Sequence, residues 1–90
     1  MVERRDKVKI IYDILKSIQE KNDRIKPTHL LYKSNLSYKR MTELVNELME
    51  KGMILEENAS GNKFYILTDK GHKFLTEYYK MIEFVQSFGF

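Results

Sequence analysis

The 90-residue sequence has no cysteine, and this absence removes several kinds of chemistry at once. Disulfide bonds, thiolate catalysis and cysteine-ligated zinc sites are excluded, because each of them needs the sulfur atom. Proline occurs once, as Pro27, where it is tolerated at the start of a helix. Long apolar runs are also missing, since no stretch approaches the roughly 20 residues that span a bilayer. We therefore expect neither a disulfide scaffold nor a membrane protein.

The remaining composition is that of a folded globular protein. Apolar residues make up 42% of the chain and charged residues 32%, which is a globular balance. A chain of this length buries enough apolar surface for one core but not for two, so we predict a single domain over residues 1–90. The opening segment MVERRDKVK has no apolar stretch of the secretory type. These features lead us to expect a cytoplasmic protein.

Positive charge is concentrated in the first half of the chain. The net charge is +3 overall, but it is +6 over residues 1–40, −4 over residues 41–62 and +1 over the remainder. The densest block has no acidic residue and contains Arg24, Lys26, Lys33, Lys39 and Arg40. A surface of this kind attracts polyanions such as nucleic acids, although an ordinary solvated surface also carries charge at this density.

Apolar spacing at the start of the chain predicts two helices. Residues 6–20 repeat apolar side chains every three or four positions, which is the pattern of an amphipathic helix. A shorter helix is predicted after Pro27, with Leu30 and Leu31 facing inward. Asn35 is suited to the end of that helix because asparagine tolerates a left-handed backbone.

The third predicted helix is strongly amphipathic. Ser37 is expected to cap its start by accepting from a free backbone N–H, and Gly52 is expected to close its end. Five apolar residues fall within about 140° on a helical wheel and form the predicted buried face: Met41, Leu44, Val45, Leu48 and Met49. Two helices joined by a tight turn at 35–36 form a helix-turn-helix pattern.

After Gly52 the apolar period changes from helical to strand-like. The strings MILEE and KFYIL flank the turn-forming string NASGN, so we predict a two-stranded β-hairpin with a five-residue loop. Two strands are marginally stable alone and must pack on the helices. Thr68 is then expected to cap a long last helix, with Asp69 in the first turn favoured by the helix dipole.

This order of elements resembles the winged helix-turn-helix fold. The segments NLSYKRMTELVNELMEKGMI and YILTDKGHKFL carry the resemblance. The strings THLLYKSNLSYK and FLTEYYKMIEFVQSFG narrow it to the small archaeal winged-helix proteins of the 10a type, which have a long C-terminal helix and bind DNA as dimers. The resemblance implies a mainly α fold with a two-stranded wing, a winged-helix core over residues 1–68 and a dimerisation helix over residues 69–90.

In the resembling family the N-terminal half of the third helix enters the major groove, and the wing lies along the backbone or the minor groove. The resemblance therefore implies DNA contacts from the third helix at Ser37, Tyr38, Lys39, Arg40 and Glu43. It implies further contacts from the wing at Asn58, Ser60, Asn62 and Lys63. Lys39 and Arg40 are also favoured physically, because cations at a helix N-terminus attract phosphate and can read guanine acceptors. For Tyr38 two roles stay open, contact with phosphate and cover of the core.

Charges outside the third helix refine this expectation. Lys26 and Lys33 lie on or beside the second helix, which crosses the phosphate backbone in helix-turn-helix docking, and both are predicted DNA contacts. On the wing, Glu56 and Glu57 lie near Lys63 and would repel phosphate unless they face away. We therefore expect a weaker contact from the wing than from the third helix.

The sequence offers little support for an enzyme. His29 and His72 have no acidic residues at matched spacing, so no metal site is predicted, and no glycine-rich phosphate or dinucleotide loop points to a cofactor. The expected partners are double-stranded DNA and a second copy of the chain, with no small-molecule ligand evident. We expect a transcriptional regulator or a chromatin-associated protein. A winged helix used only for protein contact is the alternative, because a fold does not fix its function.

The last predicted helix, from Asp69 to about Ser87, would be about 28 Å long, which is long for a domain of this size. One apolar row consists of Phe74, Tyr78, Met81, Val85 and Phe88, and a second row consists of Leu75, Tyr79 and Ile82. We expect one row to dock on the domain and the other to pair with a second copy in an isologous antiparallel contact, although both rows can also bury within one chain. The residues predicted for the dimer contact are Leu75, Tyr78, Tyr79, Ile82 and Val85.

Overall fold

Four helices and three strands follow one another in the computed structural model, which describes residues 6–90. They are α1 (Lys7–Gln19), β1 (Arg24–Ile25), α2 (Pro27–Ser34), α3 (Tyr38–Glu50), β2 (Ile54–Ala59), β3 (Asn62–Leu67) and α4 (Asp69–Gln86). The predicted mainly α winged-helix architecture with a long last helix is confirmed. Arg4 and Arg5, which contribute to the basic N-terminal charge, lie outside the described residues, and the division into 1–68 and 69–90 stays a prediction.

Local capping groups define the helix ends. Ser37 and Thr68 precede α3 and α4, and their hydroxyls accept from the backbone N–H groups of Arg40 and Gly71, each at 3.1 Å. Asn35 ends α2 in the left-handed conformation, with a φ of 55°. An N-cap of this type stabilises a helix by about 1 kcal/mol. The predicted capping roles of Ser37 and Thr68 and the predicted position of Asn35 at the end of α2 are confirmed.

The core lies between the helices and the inner face of the sheet. α1 contributes Ile14, Leu15 and Ile18, none of which has accessible surface. The buried side chains of α3 are Met41, Leu44, Val45 and Leu48. The other elements complete the core with Ile25, Leu30, Ile54, Tyr65, Leu67 and Leu75. Burying each large aliphatic side chain contributes about 1.5–3 kcal/mol, so the core holds α3 firmly with its polar face outward.

A third strand joins the hairpin and corrects the predicted two-stranded sheet. β1 pairs antiparallel with β3, with Arg24 opposite Ile66 and Ile25 opposite Tyr65, and the strand order is β1-β3-β2. The pairing leaves Ile25 only 2% exposed. β1 has two residues, which is too short for the period-2 alternation that identifies a strand in a sequence. Its existence therefore depends on β3 and not on its own residues.

The wing ends in a two-residue turn, and the predicted five-residue loop is wrong. β2 and β3 pair as far as Ala59 opposite Asn62, which leaves Ser60 and Gly61 in the turn. Both turn residues have positive φ, 52° and 78°, as in the primed turns whose twist matches that of a hairpin. Asn58 and Asn62 belong to the strands, although asparagine is more common in turns.

α4 begins so close to the sheet that one of its positions has no room for a side chain. The Thr68 hydroxyl donates to the Gly52 carbonyl at 2.6 Å, and the Thr68 N–H donates to the Met53 carbonyl at 3.2 Å. A Cβ on the buried Gly71 would lie 2.6 Å from the Met53 carbonyl oxygen and would also overlap the Leu67 side chain. The TDKG corner therefore turns the chain from strand to helix in direct contact with the base of the wing.

Asp23 connects three elements at the end of α1. Its N–H donates to the Ile18 carbonyl at 3.0 Å, and its own carbonyl accepts from the Leu67 N–H at 2.9 Å. Its carboxylate lies 2.6 Å from Nε2 of His72 in α4. Asn22 and Asp23 have φ values of 59° and 68°, which asparagine and aspartate tolerate better than most residues with a Cβ. The turn after α1 is thus fixed by contacts with β3 and α4.

α4 packs on the domain along its first half only. Leu75 is 5% exposed, and the Tyr78 ring stacks on Tyr12 of α1 with 4.6 Å between centroids. Farther along, side chains of both predicted apolar rows are exposed, namely Tyr79, Met81, Val85 and Phe88, and so is Phe84, which belongs to neither predicted row. The expected division into one docked row and one free row is therefore corrected: the helix divides along its length, because it continues past the core. Leu75 and Tyr78 already contact their own chain, and Leu75 has almost no surface left for a partner.

Candidate nucleic-acid interface

The first turn of α3 presents two cations to solvent. Lys39 and Arg40 follow the N-cap residue Ser37, and both are exposed. Within residues 6–90, neither has a carboxylate at salt-bridge distance. The backbone N–H groups at a helix start add positive partial charge to that of the side chains. This turn is therefore suited to bind an anionic group such as phosphate.

The charges of α3 oppose its own dipole. The first turn contains no acidic residue and the last turn no basic residue. Cations instead stand at the start, while Glu47 and Glu50 stand in the last turn. The opposite arrangement would stabilise the helix by about 0.3–1 kcal/mol per charge. Helix stability therefore does not account for the distribution, which concentrates positive potential at one end.

Glu47 is the acidic residue of α3 that has a defined partner. Its carboxylate lies 3.0 Å from the ammonium group of Lys7 in α1. The hydrogen bond from Lys7 lowers the pKa of Glu47. The ion pair connects the start of α1 with the last turn of α3. It is exposed, so it adds little to stability but keeps one acidic charge of α3 partly neutralised.

Three other predicted contact residues also lie on the accessible side of α3. Tyr38 is 67% exposed, so its ring does not cover the core and contact with phosphate stays its predicted role. Glu43 is exposed on the same helix, one turn after Lys39. Ser37 is exposed too, but its hydroxyl already accepts the Arg40 N–H, which limits it to a capping role unless it also donates.

The two predicted contact lysines of the α2 region differ in their surroundings. Lys26 is the residue before α2, it is exposed, and its ammonium group lies 5.9 Å from the centroid of the Phe64 ring. Lys33 lies in the last turn of α2 and forms an ion pair with Glu20 at 3.1 Å. Lys26 is therefore the more available of the two for contact with phosphate.

The positive charge of the wing at Lys63 is partly neutralised by an acidic neighbour. The ammonium group of Lys63 lies 3.3 Å from the Glu56 carboxylate. The hydrogen bond with Glu56 raises the pKa of Lys63, so the lysine stays charged but its charge is partly neutralised. The Asn62 amide donates to the Ser60 carbonyl at 3.5 Å, beside the turn. This ion pair is consistent with a weaker DNA contact from the wing, which stays a prediction.

Arg24 makes contacts with the wing that the sequence did not predict. Its guanidinium group lies 3.9 Å from the centroid of the Phe64 ring and 3.1 Å from the Glu57 carboxylate. These contacts follow from the pairing of β1 with β3, which brings Arg24 onto the outer face of the sheet. The sequence showed Arg24 only as one cation in the basic block. Its neutralisation by Glu57 shifts the accessible positive charge toward Lys26 and the start of α3.

Other kinds of site find no support in the part of the chain that the structure describes. No group of three histidine or acidic side chains converges to hold a metal ion there. In the same residues, none of the helices has the length and apolar character needed to cross a membrane. The helix-turn-helix that contains α3, by contrast, can be compared with known protein families and solved structures.

The family model described as winged helix-turn-helix matches residues 4–86. The chain belongs to the winged helix-turn-helix family. An uncharacterised protein of Methanocaldococcus jannaschii is 33% identical over 72 residues, which are 80% of this chain and 31% of that protein. The winged helix-turn-helix chain thus spans about a third of the length of the curated relative that it matches.

Two solved winged-helix structures resemble the chain over most of both proteins. Sso10a-2, a DNA-binding protein from Sulfolobus solfataricus, has a TM-score of 0.79 at 20% identity and covers 93% of this chain and 85% of its own. F93 from STIV, a winged-helix DNA-binding protein, has a TM-score of 0.69 at 24% identity. The match covers 80% of this chain and 85% of the F93 chain. The predicted resemblance to the small archaeal 10a-type proteins is confirmed at the level of the fold.

A groove runs between α1 and α4 of this winged helix-turn-helix protein. Its volume is about 520 Å³, and its walls include Tyr12, Lys16, Leu75, Tyr79 and Glu83. The exposed aromatic side chains of the second half of α4 continue from it. The groove is therefore the point where the packed half of α4 meets the exposed half.

Proposed function

We propose that this protein binds double-stranded DNA as a homodimer, with the start of α3 in the major groove, and acts as a transcriptional regulator or a chromatin-associated protein. The observation that carries the proposal is the pair of exposed cations, Lys39 and Arg40, at the start of the second helix of a helix-turn-helix. They lie where a phosphate or a guanine edge would be met first. The printed descriptions of Sso10a-2 and F93 as DNA-binding proteins are consistent with it.

The electrostatic argument favours binding through α3 and the residue before α2. Lys26, Lys39 and Arg40 have no carboxylate within salt-bridge distance in the described residues, whereas Lys33, Lys63 and Arg24 each have one. Unneutralised cations release counterions from the DNA backbone on binding, and this release provides most of the affinity that does not depend on sequence. Glu43 and Glu50 lie on the outer face of α3. Their carboxylates repel the DNA backbone unless they accept a hydrogen bond from a donor on a base.

The proposed dimer rests on the second half of α4 and on Phe88, which follows the end of that helix. We define its C-terminal apolar surface as Tyr79, Met81, Ile82, Phe84, Val85 and Phe88. Phe84 and Phe88 contact each other edge to face at 5.2 Å, and both are 65% exposed. A contiguous apolar surface on a folded chain is typical of a protein contact, and an isologous contact between two α4 helices would cover it on both copies. Two copies of α3 would then be held at a fixed separation and could contact two half-sites of one duplex.

The test of DNA binding is a titration with duplex DNA at several salt concentrations. We expect the wild-type affinity to fall steeply with salt. We expect Lys39→Ala with Arg40→Ala to weaken binding and to reduce the log–log slope by about 0.9 for each of the two side chains that contacts a phosphate. The matched control is Lys70→Ala with Lys73→Ala, which removes the same charge from exposed positions of α4.

The outcomes of this titration separate the proposal from its alternative. Equal effects of the two double variants would show that only the overall charge matters and that α3 does not contact DNA. No binding of the wild type even at low salt, where backbone binding is strongest, would overturn DNA binding and leave the winged-helix module for protein contact.

A further inference from the structure

The middle of the exposed face of α3 has a net negative charge, with one lysine and two glutamates. Four side chains fall within about 60° of arc directly opposite the buried stripe when residues are placed at 100° intervals. They are Lys39, Glu43, Asn46 and Glu50, and all four are exposed. Arg40 lies about 90° from the middle of this face, on one flank, and Thr42 lies about 70° away on the other. A helix that enters a groove directs the middle of its exposed face at the base edges and its flanks at the phosphates.

Glu43 holds this position, and within residues 6–90 it forms no ion pair. No cation lies within salt-bridge distance of it among the residues that the structure describes, although Lys39 and Arg40 precede it by four and three positions. A lysine N-terminal to a glutamate is the weaker order for such pairs. The Glu43 carboxylate is therefore free to accept hydrogen bonds, and it repels phosphate.

The chemistry of the major groove allows few partners for a carboxylate. An ionised carboxylate only accepts, whereas guanine presents two acceptors and thymine one acceptor and a methyl group. The N4 amino group of cytosine is a donor with no adjacent acceptor on its own base edge. Asn46 lies one turn farther along and can pair with the donor and the acceptor of adenine.

We propose that Glu43 and Asn46 contact base edges, with Glu43 selecting cytosine and Asn46 selecting adenine. The protein would then bind particular DNA sequences and would not bind DNA irrespective of its sequence. This inference rests on the proposed binding of duplex DNA by α3. The two residues are about 4.5 Å apart along the helix axis, so the selected cytosine and adenine lie within one or two base pairs of each other. In a protein that contacted only phosphates, acidic residues at the middle of this face would lower the affinity for DNA and would provide no base selectivity in return.

The experiment begins with selection of bound duplexes from a randomised pool by the wild-type protein, followed by titration of the selected duplex and of duplexes changed at one base pair. We expect a selected motif in which replacement of one C·G pair weakens binding roughly tenfold or more. In Glu43→Gln this preference is expected to shrink, because a glutamine amide both donates and accepts and tolerates other bases. Affinity for unrelated duplexes is expected to rise as the negative charge is removed.

Glu50→Gln is the matched control for the charge. Glu50 is exposed on the same side of α3, but it is the last residue of the helix and lies at the end away from the entering turn. Glu50→Gln is expected to raise the affinity for all duplexes by a similar factor and to leave the base preference unchanged. A wild-type protein that binds duplexes without selecting any motif would overturn the inference and leave DNA binding intact, and so would a motif that Glu43→Gln does not alter. Failure of the wild type to bind any duplex would instead overturn the proposed function.

Discussion

At the scale of single residues, Gly71 shows how little room separates α4 from the sheet. We predict that Gly71→Ala destabilises the protein by about 1–3 kcal/mol, because the added methyl group overlaps backbone and core atoms. The expected sign is informative, since the same change inside an exposed helix stabilises by about 1 kcal/mol. Urea unfolding measures the effect, with Lys73→Ala, an exposed position two residues later, as the control expected to change little. An increase in the free energy of unfolding for Gly71→Ala would contradict the close approach described above.

Single residues also mark the limit of what the sequence predicts about the site. The exposure of Lys39 and Arg40 followed from the apolar face of α3 alone. The neutralisation of Lys33 by Glu20, which is 13 positions away, did not, because no local rule states which acid the fold brings beside a given lysine. The same holds for Arg24 and Glu57, which meet only through the sheet.

At the scale of elements, the wing is expected to contribute less to DNA binding than α3. We predict that Lys63→Ala reduces affinity and salt dependence less than Lys39→Ala, although each removes one cation, because Glu56 already neutralises part of the Lys63 charge. Titrations of both variants at several salt concentrations measure the difference. Lys63→Ala with Glu56→Gln is the control: it removes the whole ion pair, and binding is expected to stay close to that of the wild type. A loss in this double variant as large as that in Lys39→Ala would show that the wing lysine contacts DNA itself.

Most of the elements could be predicted because their signals are local. The caps at Ser37 and Thr68 and the left-handed end at Asn35 each depend on a few neighbouring residues. β1 could not be predicted, because its two residues become a strand only by pairing with a segment about 40 positions later. The length of the wing was underestimated for a similar reason, since cross-strand pairing holds Asn58 and Asn62 in extended conformation against their turn preference.

At the scale of the whole molecule, the exposed half of α4 determines the expected state of association. We predict that Val85→Glu converts a dimer into a folded monomer with much weaker DNA binding, because it places a charge in the C-terminal apolar surface. Ser87→Glu adds the same charge two residues later, about 160° away around the helix axis and on the side of Lys80 and Glu83, and is expected to leave the dimer intact. Sedimentation at tens of micromolar protein, together with DNA titration, distinguishes the two variants. A wild-type protein that sediments as a monomer under these conditions would overturn the proposed dimer.

Periodicity revealed the apolar rows of α4 but not how far the core extends along them. Leu75 and Tyr79 belong to the same predicted row, yet the first is 5% exposed and the second 56%. A sequence pattern identifies the face of a helix, whereas the extent of the core depends on where α1 ends in space. The predicted dimer contact therefore moves toward the C-terminus, to Tyr79, Ile82 and Val85 among the residues first proposed.

The junction at Asp23 also affects how the protein can form during its synthesis. Asp23 receives one hydrogen bond from Leu67 and contacts His72, so two of its three partners lie far later in the chain. A ribosome delivers residues from the N-terminus at about 5–20 per second. The turn after α1 consequently stays incomplete while the helix-turn-helix emerges, and it closes only when the start of α4 has left the exit tunnel. The segment that contains the helix-turn-helix therefore completes its contacts only after the start of α4 has been synthesised.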